Sequence, residues 1–178
     1  IHSHMALPWG YVFKDFKVKK IITCHGSDVF PKKNFFISKL ILNAFKKTDT
    51  IVSPSKWLSV YIKEKYNYNT KIIPNGIDTT FFKPIKTTRE NNKILFVGRY
   101  IDIKGIKLIL EVANKLKDYE FWFVGNGLLG NEIKLHNTKN FGFKNKSELL
   151  ELYNKATFCL FPSQRENFPL VGLEAMST

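Results

Sequence analysis

The chain has 178 residues, 44% of them hydrophobic, and 28 Lys and Arg against 15 Asp and Glu give it a formal net charge of +13 at pH 7. That content is globular and excludes a disordered chain, no tandem repeat marks a solenoid, and the length admits one ordinary domain or parts of two. No apolar run approaches the roughly 20 residues of a membrane-spanning helix, and the two cysteines, Cys24 and Cys159, each close an apolar run where a thiol acts as a small buried hydrophobe, so a reducing cytosol is the expected setting.

In chain order, residues 2–10 read as a strand end, a loop and a short helix to about Phe16. His2 and His4 alternate as metal ligands can, but no third ligand follows at a suitable spacing, so no metal site is expected. Residues 19–24 read as a central strand with His25-Gly26-Ser27-Asp28 at its carboxyl end, the edge where open α/β sheets bind ligands. Cys24 and His25 do not form a nucleophile and base, because adjacent strand residues face opposite ways. Residues 34–47 read as a helix whose stripe is Phe36, Leu40, Ile41, Ala44 and Phe45, with Lys33, Lys39, Lys46 and Lys47 turned away. A core helix with solvated lysines is favoured there over a helix lying on a membrane. A strand at 50–53, a helix at 55–66 and a strand at 71–73 lead into Pro74-Asn75-Gly76-Ile77-Asp78, where Asn-Gly marks a tight turn.

The first domain is therefore placed at 1–84, a polar linker at 85–92 and a second domain at 93–178. In the second, strands at 93–97, 121–124, 140–143 and 156–161 alternate with helices at 105–117, 128–135, 147–155 and from Pro169, which predicts a parallel sheet covered on both faces. Charge is uneven: residues 1–84 hold 14 lysines and five acids, and residues 85–178 hold 14 bases and ten acids. The first part is either a set of solvated faces or a surface drawn to anionic lipid, nucleic acid or phosphate-bearing substrates.

Each strand of the second part is followed by a loop with ligand-binding chemistry: Gly98-Arg99, Gly125-Asn126-Gly127, Gly142-Phe143 and the stretch 163–167. Four loops on one sheet edge predict a nucleotide pocket. Arg99 and Lys104 suit a diphosphate, a guanidinium fork and a point charge, although two exposed surface bases would look the same. The last strand turns into a helix with Pro169 at its first position, leaving backbone N–H groups free for an oxygen-rich ligand. Glu166 and Glu174 frame that turn; they either accept hydrogen bonds from sugar hydroxyls or simply suit the helix dipole.

Glu166 and Glu174, eight positions apart within Ser163-Gln164-Arg165-Glu166-Asn167-Phe168-Pro169-Leu170-Val171-Gly172-Leu173-Glu174-Ala175-Met176, resemble the Glu-x7-Glu signature of retaining glycosyltransferases with the GT-B fold, the glycosyl transferases group 1 family. His25-Gly26-Ser27-Asp28, Ser53-Pro54-Ser55, Pro74-Asn75-Gly76-Ile77-Asp78, Gly98-Arg99 with Lys104-Gly105, and Gly125-Asn126-Gly127 follow in family order through nearly all of the chain. The resemblance implies an α/β, GT-B protein with two Rossmann-like domains facing a cleft. The chain opens on Ile1 in place of Met and closes on Ser177-Thr178 before a helix cap, so the first domain is expected to lack its beginning and the second its last helices. It also implies transfer of a sugar from a nucleotide-diphosphate sugar to an acceptor hydroxyl of a lipid-linked or polysaccharide glycan, with retention, without a metal and with no cofactor beyond the donor. No Asp-x-Asp motif is present.

By the same resemblance, His25 lies under the transferred sugar with Asp28 capping the next turn, and Glu166 and Glu174 hold the donor sugar and the ribose. Backbone N–H groups of Asn167, Phe168 and Leu170 hold sugar or phosphate oxygens, Phe143 flanks the base, and Gly98, Arg99, Lys104, Gly125 and Gly127 form the phosphate loops. Leu128 stands where the family often has Pro, and the family's glycine-rich acceptor loop is not in this chain, so the chain alone is expected to be inactive. The implied partners are the nucleotide sugar and a glycan or lipid-linked acceptor. The sparse cysteines make the cytoplasm the expected location, and the basic N-terminal part adds peripheral contact to the inner face of the membrane. Two alternatives stand beside this: another GT-B enzyme, such as a sugar-nucleotide epimerase or sugar-phosphate synthase, and a basic nucleic-acid-binding protein. The second lacks a basic patch interleaved with aromatics or a helix-turn-helix, so no nucleic-acid partner is expected.

Overall fold

Short runs, most of them apolar or β-branched, become the strands of two parallel sheets in the computed structural model, which describes residues 1–30 and 34–178. The sheets belong to two α/β units, Ile1–Asn75 and Gly76–Thr178.

In the first unit, β1 (His2–His4), β2 (Ile21–Thr23), β3 (Thr50–Ser53) and β4 (Lys71–Ile72) lie side by side in chain order, every pair parallel. Parallel neighbours need crossovers. Helices α1 (Phe35–Lys46) and α2 (Lys56–Tyr66) supply two of them. Each helix starts on a side-chain cap: Asn34 accepts from the N–H groups of Phe36 and Ile37, and Ser55 from that of Leu58. Ile22, Cys24, Ile41, Ala44, Phe45, Leu58 and Ile62 form the buried centre.

Helix α1 departs from the expected stripe. Ile41, Ala44 and Phe45 are buried, but Phe36 is 76% exposed and Leu40 also faces solvent. At 3.6 residues per turn the nine positions from Phe36 to Phe45 make two and a half turns, so the two rings point opposite ways. Lys33 lies outside the described residues; Lys39, Lys46 and Lys47 are exposed.

The second unit is built on β5 (Lys93–Val97), β6 (Glu120–Val124), β7 (Thr138–Asn140) and β8 (Phe158–Cys159), in the spatial order β7-β6-β5-β8 and all parallel. Side chains alternate along β5 and β6 to fill two cores. Leu95, Val97, Trp122 and Val124 meet Leu152 and Tyr153 of α4 (Lys146–Lys155), while Phe96, Phe121 and Phe123 meet Ile106 and Ile109 of α3 (Ile106–Lys115). Helices thus cover both faces of the sheet.

Several boundaries differ from the sequence expectation. The first unit ends at Asn75, before residue 84, because Ile77, Phe81 and buried Phe82 pack with Trp122 and Tyr153 in the second. Residues 85–92 are tied down as well: Ile85 N–H donates to Asn154 Oδ1 at 3.0 Å, and Glu90 N–H to the Lys155 carbonyl at 2.8 Å. The expected helix at 128–135 is only a turn, Leu128–Glu132, with Leu128 91% exposed. β7 stops at Asn140, whose Oδ1 takes the Gly142 N–H and bends the chain away from the expected strand at 140–143. The apolar run at 156–161 forms an edge strand of two residues with Phe158 exposed, since only β5 pairs with it. Finally, α5 (Leu170–Met176) begins one residue later than expected, with Pro169 in extended geometry as its cap.

Candidate donor site in the second unit and a histidine cluster in the first

At the carboxyl edge of the second sheet, three loops approach as closely as backbone allows. A Cβ on Gly125 would stand 2.0 Å from the Gly98 carbonyl oxygen, and one on Gly127 would stand 2.6 Å from that of Tyr100. Both glycines have positive φ, 139° and 148°, which side chains rarely adopt. Backbone hydrogen bonds close the same contacts: Gly98 N–H to Val124 O at 2.9 Å, Tyr100 N–H to Asn126 O at 2.7 Å, and Gly125 N–H to Gly142 O at 2.8 Å. Tyr100 is the peg beneath them. Its ring is buried, its hydroxyl donates to Asn140 Oδ1 at 3.0 Å, and burial pushes its pKa well up, so it stays a neutral donor. Sequence reading missed Tyr100 and Asn140. The only signal was a Tyr directly after Gly98-Arg99.

The fourth loop, between β8 and α5, docks on the turn before α3. Gln164 N–H donates to Ile103 O at 2.9 Å, and a Cβ on Gly105 would lie 2.4 Å from the Pro162 carbonyl oxygen. Across this seam the Lys104 ammonium pairs with the Glu166 carboxylate. The two groups named for phosphate and for sugar thus meet each other.

The remaining predicted residues are spread more widely. Arg99 is exposed on the same loop as Gly98 and makes no ion pair among the described residues. Phe143 is 78% exposed in the loop after β7, and Leu170 is exposed at the start of α5, with Asn167 and Phe168 half-buried before it. Glu174 has a different partner from the Lys104–Glu166 pair. Its Oε2 accepts from the buried Tyr153 hydroxyl at 3.0 Å, which anchors α5 to α4. Burial, helped by the Glu174 charge, pushes the Tyr153 phenol far above its usual pKa. A cavity of about 340 Å³ opens beside Tyr153, Cys159, Gly172 and Ala175, and none of the predicted donor residues lines it.

In the first unit, the parallel register puts His4 opposite Thr23 and therefore on the face that His25 takes two residues later. His4 Nδ1 lies 3.0 Å from His25 Nε2, and His2 Nε2 lies 2.8 Å from Thr23 Oγ1. Asp28 does more than cap a turn. Its buried carboxylate accepts from His25 N–H at 2.8 Å and from Ala6 N–H at 2.7 Å, joining the ends of β1 and β2. Among the described residues, no group of three His, Cys, Asp or Glu side chains is disposed to hold a metal ion. Cys24 lies wholly inside the core, and its burial raises the thiol pKa far from the thiolate range. Among the described residues, no helix is long and apolar enough to cross a membrane.

The pattern of the family described as glycosyl transferases group 1 matches residues 78–178, and that of glycosyltransferase family 4 matches residues 1–81. An uncharacterized glycosyltransferase of Methanocaldococcus jannaschii is 29% identical over 99% of this chain and 53% of its own length. An uncharacterized glycosyltransferase of Haemophilus influenzae is 29% identical over 72% of the chain and 39% of its own. The chain thus spans about half the length, or less, of these relatives. Among solved structures, sucrose-phosphate synthase from Thermosynechococcus elongatus superimposes with a TM-score of 0.84 at 20% identity, over 99% of this chain and 53% of that one. HepE of Anabaena, solved with UDP and glucose, gives 0.73 at 17% over 89% and 50%. At these identities the likeness establishes the GT-B fold. With a family pattern over more than half of its residues, and two parallel α/β sheets of the matching fold, the chain belongs to the glycosyl transferases group 1 family.

Proposed function

We propose that the protein containing this chain transfers a sugar from a nucleotide-diphosphate sugar to an acceptor hydroxyl, and that the second unit holds the donor. The observation that carries this is the meeting of the β5–α3 and β8–α5 loops, with Lys104 against Glu166 and Arg99 open beside them. Breaking the bond between the anomeric carbon and a phosphate oxygen puts negative charge on the leaving diphosphate. Arg99 and Lys104 are the groups that would stabilise it, and a well-placed donor of this kind contributes about 2.7–4 kcal/mol to the barrier. With Lys104 drawn to phosphate, Glu166 is released to accept from sugar hydroxyls, and backbone N–H groups at Asn167, Phe168 and Leu170 face the same oxygens.

Glu174 reaches the ribose through the carboxylate oxygen that Tyr153 does not occupy, Phe143 covers the base, and His25 offers a hydrogen bond to a sugar at the edge of the first sheet. Retention and independence of a metal follow the family pattern. The acceptor class fits a lipid-linked or polysaccharide glycan, with the lysine-rich first part drawing the protein to the inner face of a membrane in the cytoplasm. UDP is bound with glucose by the similar HepE structure, which makes uridine nucleotides the first donors to try.

The test is incubation of full-length protein with labelled nucleotide sugars and a glycan-lipid extract, followed by product analysis. A new glycosidic bond with the donor's anomeric configuration, formed in the presence of a chelator, supports the reading. A free epimerised nucleotide sugar, or a sugar phosphate as sole product, would place the protein with the epimerases or the sugar-phosphate synthases. Neither product from any donor would count against all three.

A further inference from the structure

Lys104 and Glu166 meet across two loops that are already joined without them. Gln164 N–H donates to Ile103 O at 2.9 Å, and Gly105 lets the Pro162 carbonyl come closer than a Cβ would allow, so backbone contacts dock the β8–α5 loop on the turn before α3. The ion pair is not needed as a clasp. Asp102, on the same turn as Lys104, pairs with Lys107 at 3.2 Å, which leaves Glu166 as the carboxylate that Lys104 holds among the described residues. The two side chains are 21% and 27% exposed, dry enough for a lost partner to matter and open enough for a ligand to reach.

A diphosphate that takes Lys104 takes it from Glu166. The carboxylate then faces an anion with its own counterion gone, which is unfavourable twice, through the lost pair and through like charge. Hydroxyl groups of a sugar carried on that diphosphate offset the loss, because a carboxylate accepts from O–H donors. A diphosphate that has lost its sugar offers no such donors there. An unpaired charge set against the wrong ligand is a general way for a site to reject it.

Resting on the donor reading of this unit, we propose that the Lys104–Glu166 pair makes the site select a nucleotide sugar over the nucleoside diphosphate left after transfer. Glu166 withholds Lys104 from the bare diphosphate and yields it when a sugar arrives. Once the sugar has left, the pair re-forms and weakens the hold on the spent nucleotide.

The test is calorimetric titration of full-length wild type and Glu166→Gln with UDP, GDP and ADP, and with UDP-glucose, GDP-mannose and ADP-glucose. Glutamine keeps the shape and an accepting oxygen but not the charge, so the variant should bind the nucleoside diphosphate about fivefold more tightly or better, and the nucleotide sugar should gain less. Damage to the fold weakens binding, so a gain has no trivial source. Lys104→Met should weaken both kinds of ligand, and adding Glu166→Gln to it should recover less nucleoside-diphosphate affinity than the same change brings to wild type. Unchanged nucleoside-diphosphate affinity in Glu166→Gln would confine Glu166 to the sugar and overturn the proposal. Weaker binding with a lower melting temperature would make the pair a clasp and overturn it too, as would an equal gain for both kinds of ligand or an equal gain with and without Lys104. Wild type that binds no nucleotide would remove the donor reading together with this one, whereas wild type that binds, with no gain in Glu166→Gln, would leave the donor reading standing alone.

Discussion

Gly125 shows how tightly the donor edge is drawn. A methyl group there meets the Gly98 carbonyl at 2.0 Å with φ at 139°, so Gly125→Ala combines overpacking with backbone strain. It should destabilise the protein by roughly 2–5 kcal/mol in urea unfolding. Gly142→Ala, with φ at 68° and open space around it, should cost only about 1–2 kcal/mol. Equal costs at the two positions would show that the loops are not pressed together. Tyr100→Phe removes one hydrogen bond to Asn140 and should cost about 1 kcal/mol. The glycines were legible because their purpose is local; a loop that approaches a ligand or another loop needs them. Tyr100 was not, because its partner lies 40 residues away. The same holds for His4, whose neighbour His25 is reached only through the parallel register of β1 and β2, and for Glu174, whose Tyr153 partner comes from another helix.

At the scale of elements, β5 and β6 are pinned at their amino ends by a cross-strand pair. Lys93 and Glu120 stand opposite each other in register and their side chains meet at 2.7 Å. The hydrogen bond from Lys93 holds the Glu120 carboxyl below its usual range against a desolvation that raises it, and the Trp122 indole N–H adds to the lowering. A folded pKa below the unfolded one means that the stability it brings is present above the ordinary carboxyl value of about 4.3 and is lost as pH falls through the lower folded value. Glu120→Gln should therefore lower stability at neutral pH, by less than about 1 kcal/mol because the carboxylate is partly solvated, and the gap to wild type should close below about pH 4. A gap that widens in acid would reverse the assignment.

The capping box of α4 gives a second check: Asn145→Ala removes the side chain that holds Glu148 N–H and should cost about 1 kcal/mol. Strands such as 93–97 and 50–53 were legible because continuous apolar or β-branched runs were bounded by turn residues. The helix at 128–135 was overcalled because its leucines are spaced for a helix, yet Gly127 and Gly130 let the chain pack closely against Tyr100 instead. The stripe on α1 was drawn by apolar content without following the helical angle to Phe36, and what it hid is the exposure of that ring.

For the whole molecule, alternation of strands and helices was enough to foresee parallel sheets, and the ordered motifs were enough to foresee the family. The boundary between the units was harder to see. Residues 85–92 look like polar linker by composition and 77–84 like the end of the first domain, but Phe82 and the hydrogen bonds to Asn154 and Lys155 bind both stretches to the second unit. The central claim is that this unit holds a nucleotide diphosphate at the loops carrying Arg99, Lys104 and Glu166. Calorimetric titration of full-length protein with UDP, GDP and ADP tests it most directly. At least one should bind, and Arg99→Ala and Lys104→Ala should each weaken it about tenfold or more, Arg99→Ala without changing the unfolding temperature of the unliganded protein. No binding of any nucleotide, or an affinity that neither substitution alters, would contradict the account.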